Sequence, residues 1–138
     1  MDKFNKSHSD GTYRLMRAEH LAVVAVCSAL ALWHFREINL WRFAFLFVVI
    51  DAVGYLPGLV AYQRNGKGRI GPIYHYLYNV THSYLTWGVV VFAWVQWFGW
   101  EWALLAVPIH LSGDRGIFGN VLKPVDRSFE PAPPGRSA

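Results

Sequence analysis

Two long apolar stretches limit what this chain can fold into. Residues 40–62 read LWRFAFLFVVIDAVGYLPGLVAY, and residues 73–98 are similarly apolar. Each could cross the hydrocarbon core of a bilayer, which is roughly 30 Å thick and needs about 20 helical residues. Two shorter runs, residues 18–34 and 99–111, bring the number to four. Because backbone groups cannot stay unpaired in lipid, the pattern predicts an all-α fold, an integral membrane four-helix bundle.

The composition favours the same class of protein. The chain has 138 residues, of which 54% are hydrophobic, 17% are aromatic and only 16% are charged. It is too apolar for an ordinary soluble domain. Its length is that of a single domain. Its single cysteine, Cys27, excludes a disulfide framework and a cysteine-based metal motif. The net charge of +4 comes from residues between the runs, so we expect no nucleic-acid partner.

Charge placement predicts the orientation of the bundle. With the N-terminus in the cytoplasm, eleven of the 13 lysines and arginines fall on the inner side, leaving only Arg36 and Arg42 outside. This agrees with the excess of basic residues in cytoplasmic loops. Six of the seven tryptophans lie near the predicted outer ends, as in an interfacial aromatic belt, at positions Trp33, Trp41, Trp94, Trp97, Trp100 and Trp102. Both termini are therefore predicted to be cytoplasmic.

These boundaries divide the chain into three parts. We predict a cytoplasmic N-terminal segment over residues 1–17 and a four-helix transmembrane domain over residues 18–122. Residues 123–138, KPVDRSFEPAPPGRSA, have the polar, proline-rich composition of a disordered tail.

Ionisable residues inside the apolar runs are the strongest functional signal. A charge at a helix centre in lipid costs roughly 2.5–3.5 kcal/mol, so such residues usually face a bundle interior. The predicted topology places five of them in the cytoplasmic half of the bilayer, and leaves His20 near the rim. The five are Asp51, His75, His82, His110 and Asp114. We therefore predict one polar pocket that opens toward the cytosol.

Helical spacing gives these residues narrow polar stripes. Asp51 and Tyr55 are four residues apart, as are His110 and Asp114, so each pair shares a helix face. His75, Asn79 and His82 follow one another on a face of the third helix in the same way. Because lipid offers no hydrogen-bond partners to these side chains, we expect the stripes to face each other inside the bundle.

Histidines and carboxylates on facing helices are typical of metal sites in bundles. We predict His82, His110 and Asp114 as ligands of a divalent metal, either zinc, iron or manganese. Asp51 or His75 would complete the ligand set or act as general base in catalysis. The cofactor-binding candidates that could orient ligands or grip an anionic group are Asn79, Tyr55 and Arg115. The alternative is that these groups only hydrogen-bond across helices, and that Arg115 is an ordinary anchor.

Three motifs carry a resemblance to a known family. The elements DAVGY, YNVTHSY and HLSGDRGIFGNVLK resemble those of an uncharacterised family of small bacterial four-helix integral membrane proteins, with Tyr-Asn-x-x-His and His-x-x-x-Asp-Arg motifs. The likeness spans residues 19–123 and implies a multi-pass protein of the cell inner membrane. It implies no reaction. The positions that match are Asp51, Tyr78, Asn79, His82, His110, Asp114 and Arg115.

Two functional hypotheses remain open from the sequence. The first is a metal-dependent, membrane-embedded enzyme that acts on a lipophilic substrate. The second is a non-enzymatic accessory or ligand-binding subunit of a membrane complex, binding quinone, pigment or haem; two of His75, His82 and His110 could ligate a haem. Beyond the lipid bilayer, the expected partners are further copies of the chain or a larger membrane complex.

Overall fold

The computed structural model describes residues 9–130, which form helices and connecting turns and contain no β-strand. This confirms the all-α class. Six α-helices are seen in this part of the chain: α1 Asp10–Trp33, α2 Leu40–Gly54, α3 Leu56–Arg64, α4 Pro72–Thr81, α5 Tyr84–Phe98 and α6 Ala106–Gly113. Short 3₁₀ turns at Phe35–Glu37 and Trp102–Leu105 and a π-helical turn at Asp114–Phe118 complete the fold.

Helix α1 is longer than the apolar run from which it was predicted. It begins at Asp10 because the Ser9 hydroxyl caps it by accepting from the backbone N–H of Thr12. The last part of the predicted N-terminal segment is therefore helical, while residues 1–8 lie outside the described residues. None of the 24 residues of α1 is buried. The helix packs on α6, on the π-helical turn and on the 3₁₀ turn before α6.

Side-chain hydrogen bonds hold the connection between α1 and α2. His34 Nδ1 donates to the Glu37 carboxylate over 2.9 Å, and this hydrogen bond holds the pKa of Glu37 below its ordinary value. Trp102 Nε1 donates to the other carboxylate oxygen over 3.1 Å, and its ring stacks on His34. The turn before α6 is thus joined to the end of α1.

The second apolar run forms two helices that meet at Tyr55. Pro57 lies in the first turn of α3, where its missing N–H leaves the carbonyl of Val53 without a helical partner. Helices α2 and α3 nonetheless continue in sequence as Leu40–Arg64, a segment of 25 residues.

The third run is also two helices, so the predicted continuous helix over residues 73–98 is wrong at one point. Helix α4 ends at Thr81, whose hydroxyl donates back to the carbonyl of Leu77 over 2.9 Å. The Ser83 hydroxyl caps α5 by accepting from the N–H of Leu85. These local bonds compete with the helical ladder and leave His82 at the break.

Helix α6 is short and is the most deeply buried helix among the described residues. It has eight residues, six of which are buried, and it contacts both α1 and α2. The main apolar core joins it to α2 and α5 through Leu46, Ile50, Trp87, Leu104, Val107 and Leu111. The fourth predicted span is therefore a buried helix flanked by turns.

Two helices in the described part of the chain are long and apolar enough to cross a membrane. They are Asp10–Trp33 and the combined segment Leu40–Arg64, and Tyr84–Phe98 is a shorter apolar helix. Length and composition alone do not distinguish such helices from the core helix of a soluble protein.

A C-terminal strap, residues 119–130, folds back over α3 and α4. Phe129 is 1% exposed and packs against Tyr62 and Tyr78. The side chain of Lys123 is also buried, and its ammonium donates to the carbonyl of Phe129 over 2.6 Å. The predicted disordered tail is therefore wrong for residues 123–130. The polar composition of this segment gave no sign that the ring of Phe129 would be buried. Residues 131–138 lie outside the described residues.

Candidate metal centre

Four predicted site residues from separate elements converge at the centre of the bundle. Asp51 comes from α2, His82 from the break after α4, His110 from α6 and Asp114 from the start of the π-helical turn. One ligand atom from each lies within 4.8 Å of the others. Two imidazoles and two carboxylates so arranged could hold a metal ion.

Four of the distances between these atoms are close to those of a metal coordination shell. His82 Nε2 lies 3.3 Å from Asp51 Oδ1 and 3.3 Å from Asp114 Oδ2. His110 Nε2 lies 3.6 Å and 3.7 Å from the same two oxygens. Ligand atoms bound at about 2.0 Å to one tetrahedral ion are about 3.3 Å apart. Four of the six pairs of ligand atoms are therefore near this spacing, and all four atoms lie within 4.8 Å of one another.

Burial and unpaired atoms also point to the centre of the cluster. The side chains of His82 and His110 are 5% exposed and that of Asp114 is 17% exposed. His110 Nε2 and Asp114 Oδ2 are buried and have no hydrogen-bond partner among the described residues. Buried polar atoms without partners are costly. A divalent cation would satisfy both atoms and balance the two carboxylate charges.

A hydrogen bond on the far side of the ring prepares His82 for this role. Its Nδ1 donates to the carbonyl of Tyr78 over 3.0 Å, and its ring stacks on the Tyr78 ring with centroids 3.9 Å apart. A histidine bonded through Nδ1–H presents the lone pair of Nε2 to a metal. His110 is held differently, by an edge contact with the Phe47 ring at 4.8 Å.

The cluster depends on residues that the sequence analysis did not single out. A Cβ at Gly54 would lie 2.9 Å from Thr81 Cβ and 3.1 Å from His82 Cε1. Gly54 therefore lets α2 approach the end of α4 closely enough for Asp51 to reach His82. The glycine in the DAVGY element and the Thr-His-Ser sequence were the available signals.

His75 lies outside this group of four. Its Nε2 donates to the carbonyl of Arg127 over 3.1 Å, and its ring packs edge-on against Phe129. Sharing a helix face does not bring His75 to His82, because seven residues separate the two by about 10 Å along the helix axis. In the structure, His75 contacts the C-terminal strap.

Asn79 and Tyr55 also contact the strap. The Asn79 amide donates to the carbonyl of Lys123 over 2.9 Å and accepts from the Lys123 N–H over 2.6 Å. The Tyr55 ring packs against the rings of Tyr78 and Phe129. Both residues thus border the cluster through Tyr78 and the strap.

Arg115 supports the helix break at His82. Its guanidinium donates to the carbonyl of His82 over 3.0 Å and lies 4.9 Å from the centre of the Tyr84 ring. The bond fixes the backbone on which the His82 ring is mounted. Nearby, His20 Nδ1 contacts the Ser112 hydroxyl over 3.2 Å, and this hydroxyl also bonds the Tyr84 hydroxyl.

The strap closes one side of the cluster. The space beside His82 and Asp114 on this side measures about 10 Å³ and is bordered by Arg115, Asn120 and Val121. This is barely room for one water molecule. The strap therefore covers the cluster on this side. The exposed part of the cluster is Asp51, whose side chain is 44% accessible.

Comparisons with known proteins do not add to this description. No family model matches the chain, and no curated protein or solved structure matches it either. The chemistry of the site must therefore be inferred from its own geometry.

Proposed function

We propose that this chain is an integral membrane protein that binds one divalent metal ion and uses it on a lipophilic substrate. His82, His110 and Asp114 hold the ion, and Asp51 lies beside it as the general base. The observation that carries the proposal is the convergence of four ligand atoms within 4.8 Å, two of which are buried and have no hydrogen-bond partner within residues 9–130. Imidazole and carboxylate donors suit zinc, iron or manganese.

The exposed surface supports residence in a membrane. Helix α1 has no buried residue, and side chains such as Leu32 (75% exposed), Trp41 (88%) and Trp97 (80%) face outward. Apolar patches of this extent are unusual on soluble monomers. Lipid would cover them, and the inner membrane orientation with both termini cytoplasmic follows from the positive-inside pattern.

The different solvent exposure of the two carboxylates supports an enzymatic role. A bound divalent ion supplies Lewis acidity to a water molecule or a substrate oxygen. Asp114 is largely enclosed, whereas Asp51 is 44% exposed and 3.3 Å from His82 Nε2. Asp51 is thus the group that can meet a substrate and accept a proton as general base. His75 has no part in this step because its Nε2 is hydrogen-bonded to the carbonyl of Arg127 in the strap.

The positions of the carboxylates also favour an ion over haem. Both histidine Nε2 atoms lie within 3.7 Å of the same two carboxylate oxygens. A porphyrin between the two rings would need the space that these carboxylates occupy, and would bury their charge against the macrocycle.

Elemental analysis of the purified full-length protein tests the proposal. After exposure to Zn²⁺, Mn²⁺ or Fe²⁺ and desalting, we expect one bound ion per chain, and loss of that ion in His82→Ala and His110→Ala. His34→Ala is the matched control, because this histidine stacks on Trp102 outside the cluster. Absence of stoichiometric metal in the wild type, or unchanged content in both cluster variants, would overturn the proposal.

A further inference from the structure

An apolar groove separates α1 from α2 next to the metal centre. It has a volume of about 340 Å³, within the roughly 300–1,000 Å³ range of small-molecule sites. Helix α6 contacts both helices and contributes Ile109 to the lining, while Ala31 comes from α1 and Phe43 and Phe47 come from α2. Ser28 is the one polar side chain of the lining. The groove therefore suits a hydrocarbon chain and offers little to a polar ligand.

The groove is continuous with the candidate metal centre at two points. Phe47 lines the groove and also packs edge-on against the ring of His110, with centroids 4.8 Å apart. Ile109, in the lining, directly precedes His110 in α6. A chain lying along the lining would thus end beside the histidine.

Helical spacing brings the exposed carboxylate to the same side. Phe43, Phe47 and Asp51 are successive residues at a spacing of four along α2, so they form one stripe. The first two line the groove, and Asp51 is the most accessible member of the cluster, with a side chain 44% exposed. The opposite approach is covered by the strap, which leaves about 10 Å³ beside His82 and Asp114.

We propose that this groove binds the hydrocarbon chain of a single-chain amphiphile. The molecule enters laterally from the lipid, and its polar group lies beside Asp51 and the metal centre. The inference rests on the proposed function, since it names the class of substrate for that site. The apolar lining selects the chain, and the stripe on α2 aligns the polar end of the molecule with the carboxylate. Substrate enters between α1 and α2, and the strap keeps the other side closed.

Photolabelling of the full-length protein in phosphatidylcholine nanodiscs tests the proposal. The probe is palmitic acid with a diazirine in mid-chain, and labelled residues are located by tandem mass spectrometry. We expect labels near residues 28–32 and 43–47 that excess unmodified palmitic acid removes. Labels spread evenly around α1, or labels that the competitor does not reduce, would show only general lipid contact and would overturn the proposal.

A matched pair of variants locates the binding site. Ala31 lines the groove, so Ala31→Trp should fill it and abolish the competed labelling at Phe43 and Phe47. Ala29 is exposed on the same helix and is not part of the lining, so Ala29→Trp should leave the labelling unchanged. Equal labelling in the two variants would contradict the proposal. If Ala31→Trp does not fold, the competition experiment on the wild type still decides.

Measuring the metal content of the labelled protein distinguishes a failure of the groove from a failure of the metal site. Chelator-treated wild-type protein should keep competed labelling, though weaker than in the metal-bound protein, because the lining itself contains no metal ligand. Labelling without any metal binding would leave the groove as a lipid site and overturn the metalloenzyme. Metal binding without competed labelling would leave the metal site and overturn the groove.

Discussion

The backbone of Gly54 in α2 lies directly against the side chain of Thr81 in α4. A Cβ at residue 54 would lie 2.9 Å from Thr81 Cβ and closer still to its hydroxyl oxygen. Since Asp51 is one turn before Gly54 and His82 directly follows Thr81, this contact sets the distance between the two parts of the candidate metal centre.

Gly54→Ala should therefore separate α2 from α4. Overpacking of this kind typically costs about 1–3 kcal/mol, and we expect a lower thermal unfolding midpoint and weaker metal binding. Circular dichroism in mild detergent measures the first effect. Gly88→Ala is the control, because a Cβ there meets nothing within 4 Å and the helix interior favours alanine. Equal unfolding midpoints for the two variants would show that the contact is not tight.

Thr81→Val should weaken metal binding without changing the shape of the side chain. The Thr81 hydroxyl bonds the carbonyls of Leu77 and Tyr78 and lies 3.1 Å from His82 Nδ1. Partners of this kind orient metal-binding histidines, and their loss typically costs about 10–100-fold in affinity. Competition with a fluorescent zinc chelator measures the change. Thr86→Val removes a hydroxyl that makes none of these bonds and should bind as tightly as the wild type.

Lys123→Met should release the C-terminal strap. The ammonium donates to the carbonyl of Phe129 and to Glu130, and it lies 5.0 Å from the centre of the Tyr78 ring. Methionine keeps the apolar stem but loses hydrogen bonds of a charged group, each worth about 1.5–3 kcal/mol. We expect faster tryptic cleavage after Arg127, roughly tenfold or more, if cleavage follows local opening.

Lys67→Met is the comparison for the strap. Lys67 is exposed in the loop between α3 and α4, so its substitution should leave cleavage after Arg127 unchanged. Identical cleavage rates in the two variants would mean that the buried lysine does not hold the strap.

The predicted topology can be tested with reporter fusions. A green fluorescent protein fused after the C-terminus should fluoresce, and alkaline phosphatase at the same place should be inactive, since both termini are expected in the cytoplasm. The same reporters fused to a chain ending after Glu37 should give the reverse result. Active phosphatase at the C-terminus would refute the orientation.

Sequence patterns predicted the fold class and four of the polar residues that the structure brings together, and both predictions have physical reasons. The apolar runs required helices, and the cost of placing Asp51, His82, His110 and Asp114 in apolar surroundings implied that they would meet. Spacing of four residues correctly paired His110 with Asp114, whose ligand atoms lie 3.7 Å apart.

The misplaced features depend on contacts that no helical period encodes. Thr81 and Ser83 end one helix and begin the next through side-chain bonds, so the predicted helix over residues 73–98 is interrupted at His82. The strap was missed because one buried ring, Phe129, and one buried ammonium, Lys123, hold a segment of polar composition. Such tertiary burial becomes visible only when α3 and α4 are in place.

X-ray absorption spectroscopy at the edge of the bound metal is the most direct test of the central claim, that His82, His110 and Asp114 hold one ion beside Asp51. We expect multiple-scattering features of two imidazoles, nearest ligand atoms of nitrogen and oxygen at about 2.0–2.2 Å, and no sulfur. His110→Ala should retain the features of one imidazole. A spectrum without imidazole, or one that His110→Ala and His82→Ala both leave unchanged, would contradict the claim.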